Sequence, residues 1–310
     1  MNQLPEQDLP PGRHQLLKEH LMTEIRRTEP LPERKRKPWL RPVLVTTAVA
    51  TVAAVTLVLL PADDGTGANA RPPSRATVAL LEDIALAAEH EQPSYGKVRD
   101  DQFVYLDSQV SNAEAADGEF TVRPLHRLEM WMSVDGLHTG MGREAGREDW
   151  DLPTDVKPGG EGWEISPAYN HVKTLPTDAD GMYRYLYETA PKYSGQERYQ
   201  AMFVLAADLL RQSIMPAEQS AALFRAVARI PGVTMIENAT DAAGRHGVAI
   251  ARKDPDNPSR DEWIFDKETH EFLGERSVAT DDIADVEEGT VISDTAVLRR
   301  AVVDRAGQRP

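Results

Sequence analysis

Leu128–Met141 reads LEMWMSVDGLHTGM. Leu128, Met130, Met132 and Val134 alternate with Glu129, Trp131 and Ser133, the period-two pattern of a strand with one apolar face. Asp135-Gly136 is a turn signal, and Leu137–Met141 reads as the returning strand of a hairpin. Upstream, Gln102–Ser108 reads as a strand and the polar residues 111–119 (SNAEAADGE) as a loop. Before them, 75–90 predicts a helix with Val78, Leu81, Ala85 and Ala88 on one stripe, ended by Pro93 and Gly96.

Downstream, 142–167 is a Gly-, Pro- and Glu-rich connection whose indoles, Trp150 and Trp163, are expected to dock on the sheet. A helical block follows over 177–231. Thr177 and Asp180 resemble a capping box, and Tyr199, Met202, Phe203, Ala206, Leu209 and Leu210 recur at helical spacing. Pro216 sits where a first-turn proline belongs, Leu223, Val227 and Ile230 continue a third helix, and Pro231-Gly232 stops it. Strands resume at 234–237, 246–252, 262–265 and 271–277, with one or two more over 290–304. Strands, then helices, then strands describe an α+β fold: a mainly antiparallel sheet with a helical insert. No period of 20–50 residues marks a repeat architecture.

The N-terminal quarter has a different character. Val43–Leu60 (VLVTTAVATVAAVTLVLL) is 18 residues without a charge. At 1.5 Å per residue it covers roughly 27 Å, close to the hydrocarbon thickness of a bilayer. Trp39 precedes it at interfacial depth, and Arg34, Lys35, Arg36, Lys37 and Arg41 form a basic collar on that side. The positive-inside rule then sets residues 1–38 in the cytoplasm and residues 62–310 outside the cell membrane. Ala68-Asn69-Ala70 fits a cleavage pattern, but a leading segment of about 40 residues and so long an apolar run favour an uncleaved anchor. The expected organisation is a tail (1–38), a transmembrane helix (39–61), a flexible linker (62–74) and an external domain (75–310). Within the tail, Leu17, Leu21, Met22 and Ile25 line one face of a short amphipathic helix suited to a cytoplasmic partner's groove.

Charge and composition narrow the chemistry. The formal charge is −15, from 35 basic and 50 acidic residues, which argues against a nucleic-acid binder. That total conceals a polarity: residues 1–41 hold nine basic and six acidic residues, leaving 26 and 44 for the remainder. No cysteine is present, which excludes thiolate metal sites, disulfides and cysteine nucleophiles. Ser94–Lys97 matches S-x-x-K without the downstream partners that such serine enzymes need. His126 and His138 flank the hairpin and read as turn histidines. Asp254, Asp256, Asn257, Asp261 and Glu262 lack the Gly and Glu of a calcium loop and read as a solvated turn. No catalytic residue, cofactor site or metal site is expected, and the chain reads as a non-enzyme.

Residues 214–275 carry a further pattern: Met215-Pro216, Ala221–Arg225, Ile230–Val233, Gly244–Val248 and Phe265–Gly274. In this order they resemble the actinobacterial family of uncharacterised single-span membrane proteins often encoded beside extracytoplasmic-function sigma factors. Where that pattern has D-P-x-T-G, this chain has Asp266–His270, so a positive-φ position would lack its glycine. The order of elements is also similar to the open half-barrels of lipoprotein carriers and sigma-regulatory sensors. These resemblances imply a membrane-anchored external binding or sensing protein whose tail engages a partner such as a sigma factor. The alternative is a tethered carrier or chaperone for a lipid or other apolar ligand, held by Met130 and Met132.

Overall fold

The computed structural model describes residues 71–310 apart from 91–94, 117–118, 155, 192–195 and 283–285. The tail helix with Leu17, Leu21, Met22 and Ile25, the basic collar, the span over 39–61 and most of the linker lie outside the described residues. Among the described residues, no helix is long and apolar enough to cross a membrane.

Helix α1 (Arg75–His90) buries Thr77, Leu81, Ile84, Ala85 and Ala88. Val78, expected on that stripe, is turned outward at 41% exposure. Thr77 is buried instead, with Ser74 Oγ accepting from its amide at 3.1 Å and bonding its hydroxyl at 2.9 Å.

Strand β1 (Phe103–Ala116) is twice the expected length and turns into β2 (Glu119–Val122). The polar stretch read as a loop is therefore a strand pair, in register from Ala113↔Val122 to Ala116↔Glu119. Backbone pairing to neighbours on either side supplies what side-chain hydrophobicity does not. Strands β3 (His126–Ser133), β4 (Gly140–Glu144) and β5 (Trp150–Leu152) complete the first group. The β3–β4 connection is longer than the two-residue turn expected, because the Asp135 carboxylate accepts from the Leu137 amide and the Ser133 hydroxyl, each at 2.8 Å. The 142–167 connection is more regular than its composition suggests. Trp150 lies across Gly142, where an added Cβ would stand 2.2 Å from the indole, so only glycine fits beneath that ring.

After a short helix α2 (Tyr169–Val172), three helices follow: α3 (Ala179–Thr189), α4 (Arg198–Gln212) and α5 (Ala217–Val227). Asp178, not Thr177, caps α3 by accepting from the Gly181 amide. Pro216 stands at the capping position of α5, one residue earlier than expected. Strands β6 (Val233–Thr240), β7 (His246–Lys253), β8 (Ser259–Phe265), β9 (Phe272–Ala279) and β10 (Val291–Val303) close the chain, the last as one long strand.

The strand order is β5-β4-β3-β1-β10-β9-β8-β7-β6, every pairing among the described residues antiparallel, with β2 on β1. The first strand of the domain thus pairs with the last, Phe103 opposite Val303, and joins the two strand groups into one open sheet compatible with the expected half-barrel. All helices of the main core lie on one face. Leu81, Met182, Leu186, Met202, Leu223 and Phe224 pack there against Ile250, Trp263 and Phe265. The opposite face holds a smaller cluster of Phe103, Tyr105, Trp131 and Val303, with Tyr105 donating to Glu129 at 2.6 Å.

The β8–β9 turn answers the glycine question. His270 has φ 60°, the single non-glycine residue at positive φ among those described. Asp266 Oδ1 holds the turn by accepting from the Glu268 and Thr269 amides. A left-handed residue with a Cβ costs about 1–2 kcal/mol. His270→Gly is therefore expected to stabilise the fold by about 1 kcal/mol and raise Tm by roughly 2–4 °C. A lower Tm in calorimetry would refute this account of the turn.

Candidate functional site

Side-chain alternation on an antiparallel sheet sets one row from each strand on the helix-covered face. On β1 that row contains Leu106, Ser108, Val110 and Asn112; opposite them on β3 stand Met130 and Leu128. Across β10 the row continues through Thr295 and Ser293, then Glu275 and Ser277 on β9, then Trp263 and Asp261 on β8. The wall is thus apolar at the β1–β3 side and polar at the β8–β10 side.

Helix α4 spans this face. It presents Phe203, Val204, Ala207, Asp208, Arg211 and Gln212, and between it and the sheet lies a cavity of about 130 Å³. Two arginines fasten the helix. Arg252 of β7, buried, donates to Gln200 Oε1 and Glu197 Oε2 (both 2.6 Å) and to the Pro231 carbonyl at 3.0 Å. Glu197 also caps α4, accepting from the Tyr199 and Gln200 amides at 3.0 Å. At the other end Arg300 donates to the Leu210 carbonyl at 2.8 Å, a cation set at a helix C-terminus. The helix is held at its ends and leaves space beneath its middle.

Phe203 stacks on Trp263, ring centroids 4.1 Å apart and planes 13° apart, and closes one end. Arg211 bridges Asp208 Oδ1 at 2.6 Å and Glu275 Oε1 at 2.7 Å, tying helix to sheet. Burial pushes the Asp208 carboxyl up, and Arg211 opposes that shift; the two flanking carboxylates keep the guanidinium charged despite its own burial. Arg276 pairs with Glu262 at 2.9 Å on the opposite face of the same strands. Two fully or nearly buried lining groups, Trp263 Nε1 and the Ser277 hydroxyl, have no partner among the described residues; a third atom without a hydrogen bond there, Arg211 Nε, has its ion pair with Glu275.

Of the two methionines expected to hold an apolar ligand, Met130 lines the cavity. Met132 stands outside it and packs in a cluster with Val104, Leu106, Val134 and Ile214. His126 lies 2.6 Å from Glu144 and His138 3.0 Å from Asp135, each with its own carboxylate. In the acidic turn, Asp254 accepts from the Asp256 and Asn257 amides, Asp256 from the Glu197 amide and Asp261 from Gln200. Those oxygens are spent on building the turn and anchoring α4. Ser94 lies outside the described residues. Sequence reasoning missed Trp263, Ser277 and the 204, 207, 208, 211 stripe of α4. That stripe does have helical spacing, but it changes from apolar to charged and so reads as the edge of a solvated face.

No family model matches the chain, and no curated protein matches it. Among solved structures, it is similar to one assigned as an outer membrane lipoprotein-sorting protein domain from Vibrio parahaemolyticus. That match is 10% identical, covers 75% of this chain and 93% of the other, and has a TM-score of 0.20. A likeness of that size carries no argument; the fold rests on the sheet order and register above.

Proposed function

We propose that this chain is a carrier that holds an apolar ligand between α4 and the sheet, performs no catalysis, and is tethered through residues 43–60 with its α+β domain outside the membrane. The observation that supports it is the cavity: an interior space bounded by Leu106, Val110, Leu128, Met130, Val204 and Ala207, left open because α4 is anchored at its two ends. An apolar cavity of about 150 Å³ admits a benzene ring. At about 130 Å³ the space suits a ring or a short alkyl segment, not a whole lipid. The apolar stripe of Leu17, Leu21, Met22 and Ile25 supports a second role for the tail, docking a cytoplasmic protein such as a sigma factor.

The test uses the full chain purified from its host. Mass spectrometry of an organic extract is expected to show a small apolar compound in stoichiometric amount. Ala207→Phe places a ring in the cavity and is expected to reduce the recovered compound at least tenfold while the protein stays folded. Equal recovery from the folded variant would overturn the assignment of this cavity.

A further inference from the structure

Trp263 Nε1 and Ser277 Oγ set a requirement that no group among the described residues meets. An indole N–H donates and cannot accept, and a buried donor without an acceptor costs free energy. Native interiors leave few such groups, so two in one cavity wall call for an explanation. Trp263 lies opposite Glu275, and Ser277 lies opposite Asp261, so the two are diagonal neighbours on one face of adjacent strands. A single polar group placed between them would serve both.

The surrounding charge limits what that group is. Asp208, Asp261 and Glu275 face the cavity against one cation, Arg211. Arg211 is held by Asp208 and Glu275, whereas Glu262 and Arg276 alternate with the cavity row and pair with each other on the opposite face. An anionic head would enter a wall with excess negative charge. A purely cationic head would be attracted there but would leave the indole N–H without its acceptor. An uncharged head with an oxygen acceptor and its own donors meets both conditions: the oxygen accepts from Trp263 and Ser277, and the donors face the carboxylates.

We infer that the cavity selects an uncharged amphiphile, a short apolar chain or ring ending in an amide or hydroxyl, and that Trp263 and Ser277 read its oxygen. This rests on the apolar-ligand reading and narrows it.

Calorimetric titration of the full chain with hexanamide, hexylamine and hexanoate tests both. Hexanamide is expected to bind at least tenfold more tightly than hexanoate. Trp263→Phe keeps a ring against Phe203 and removes only the N–H; it is expected to weaken hexanamide about tenfold and leave hexylamine within twofold. Ser277→Ala, a smaller change, is expected to weaken hexanamide in the same direction and serves if the tryptophan variant does not fold. Hexanoate binding as tightly as hexanamide, hexylamine binding most tightly, or unchanged hexanamide affinity in both folded variants would each overturn the inference and leave the carrier reading intact. The last result is also the one expected if a trapped water satisfies Trp263 and Ser277. Failure of all three probes to bind would overturn the carrier reading itself.

Discussion

Arg252→Ala is expected to destabilise the protein by about 3 kcal/mol, with a fall in Tm of roughly 6–12 °C. The guanidinium is buried, and all of its bonded partners are acceptors: Gln200 Oε1, Glu197 Oε2 and the Pro231 carbonyl. Removing it leaves a carboxylate, an amide oxygen and a backbone carbonyl facing a space once filled by a cation. Glu197 retains some contact with water and still caps α4, which keeps the expected loss at the lower end of the range for breaking a buried pair. The effect is also expected to be local. Amide hydrogen exchange in the first turn of α4 is expected to accelerate before the rest of the helix, because that turn loses its tie to β7. Arg252→Lys keeps the charge but cannot span three acceptors with one ammonium group in the same geometry, and is expected to recover less than half of the loss. A calorimetric loss below 1 kcal/mol for the alanine variant would show that Arg252 does not secure α4.

Phe203→Ala is the second large effect, expected to cost about 4 kcal/mol. Phe203 and Trp263 are fully buried and stacked face to face, so truncation removes one ring's burial and leaves the other without its neighbour. The site is poorly placed to collapse because it borders a space that α4 already holds open. The lost atoms are therefore expected to enlarge the cavity instead of being replaced by neighbours. Phe203→Leu retains most of the volume and is expected to recover about half of the loss. Urea unfolding of the three proteins measures this directly. A cost under 2 kcal/mol for the alanine variant would mean that the core closes over the gap, contrary to the picture of α4 as a fixed span.

The two effects bear on how much of the molecule was readable from amino-acid order. Periodicity in Leu128–Val134 and in Tyr199–Leu210 predicted a strand and a helix that are both present, because each pattern reports local burial on one face. The missing glycine at His270 predicted discomfort at a positive-φ site, and the backbone is found there. The strand at 111–116 was not readable: its residues, SNAEAA, include no large apolar side chain, and part of its pairing reaches far off in sequence, with Ser111 opposite Asp294. Asp178 was passed over as a cap because Thr177, one residue earlier, satisfies the same spacing rule.

For the candidate site the division is sharper. Amino-acid order alone determined the α+β class, the helical insert and the apolar face of β3 that includes Met130. These depend on residues within about ten positions of one another. The pairing of β1 with β10, the span of α4 across the sheet, and the meeting of Asp208 with Glu275 were decided only by tertiary structure. The reason is physical. Trp263 and Ser277 are ordinary strand residues until a helix about 60 residues earlier in sequence covers them, with no partner supplied among the described residues. Such burial is a property of three elements together, and no single stretch of the chain records it.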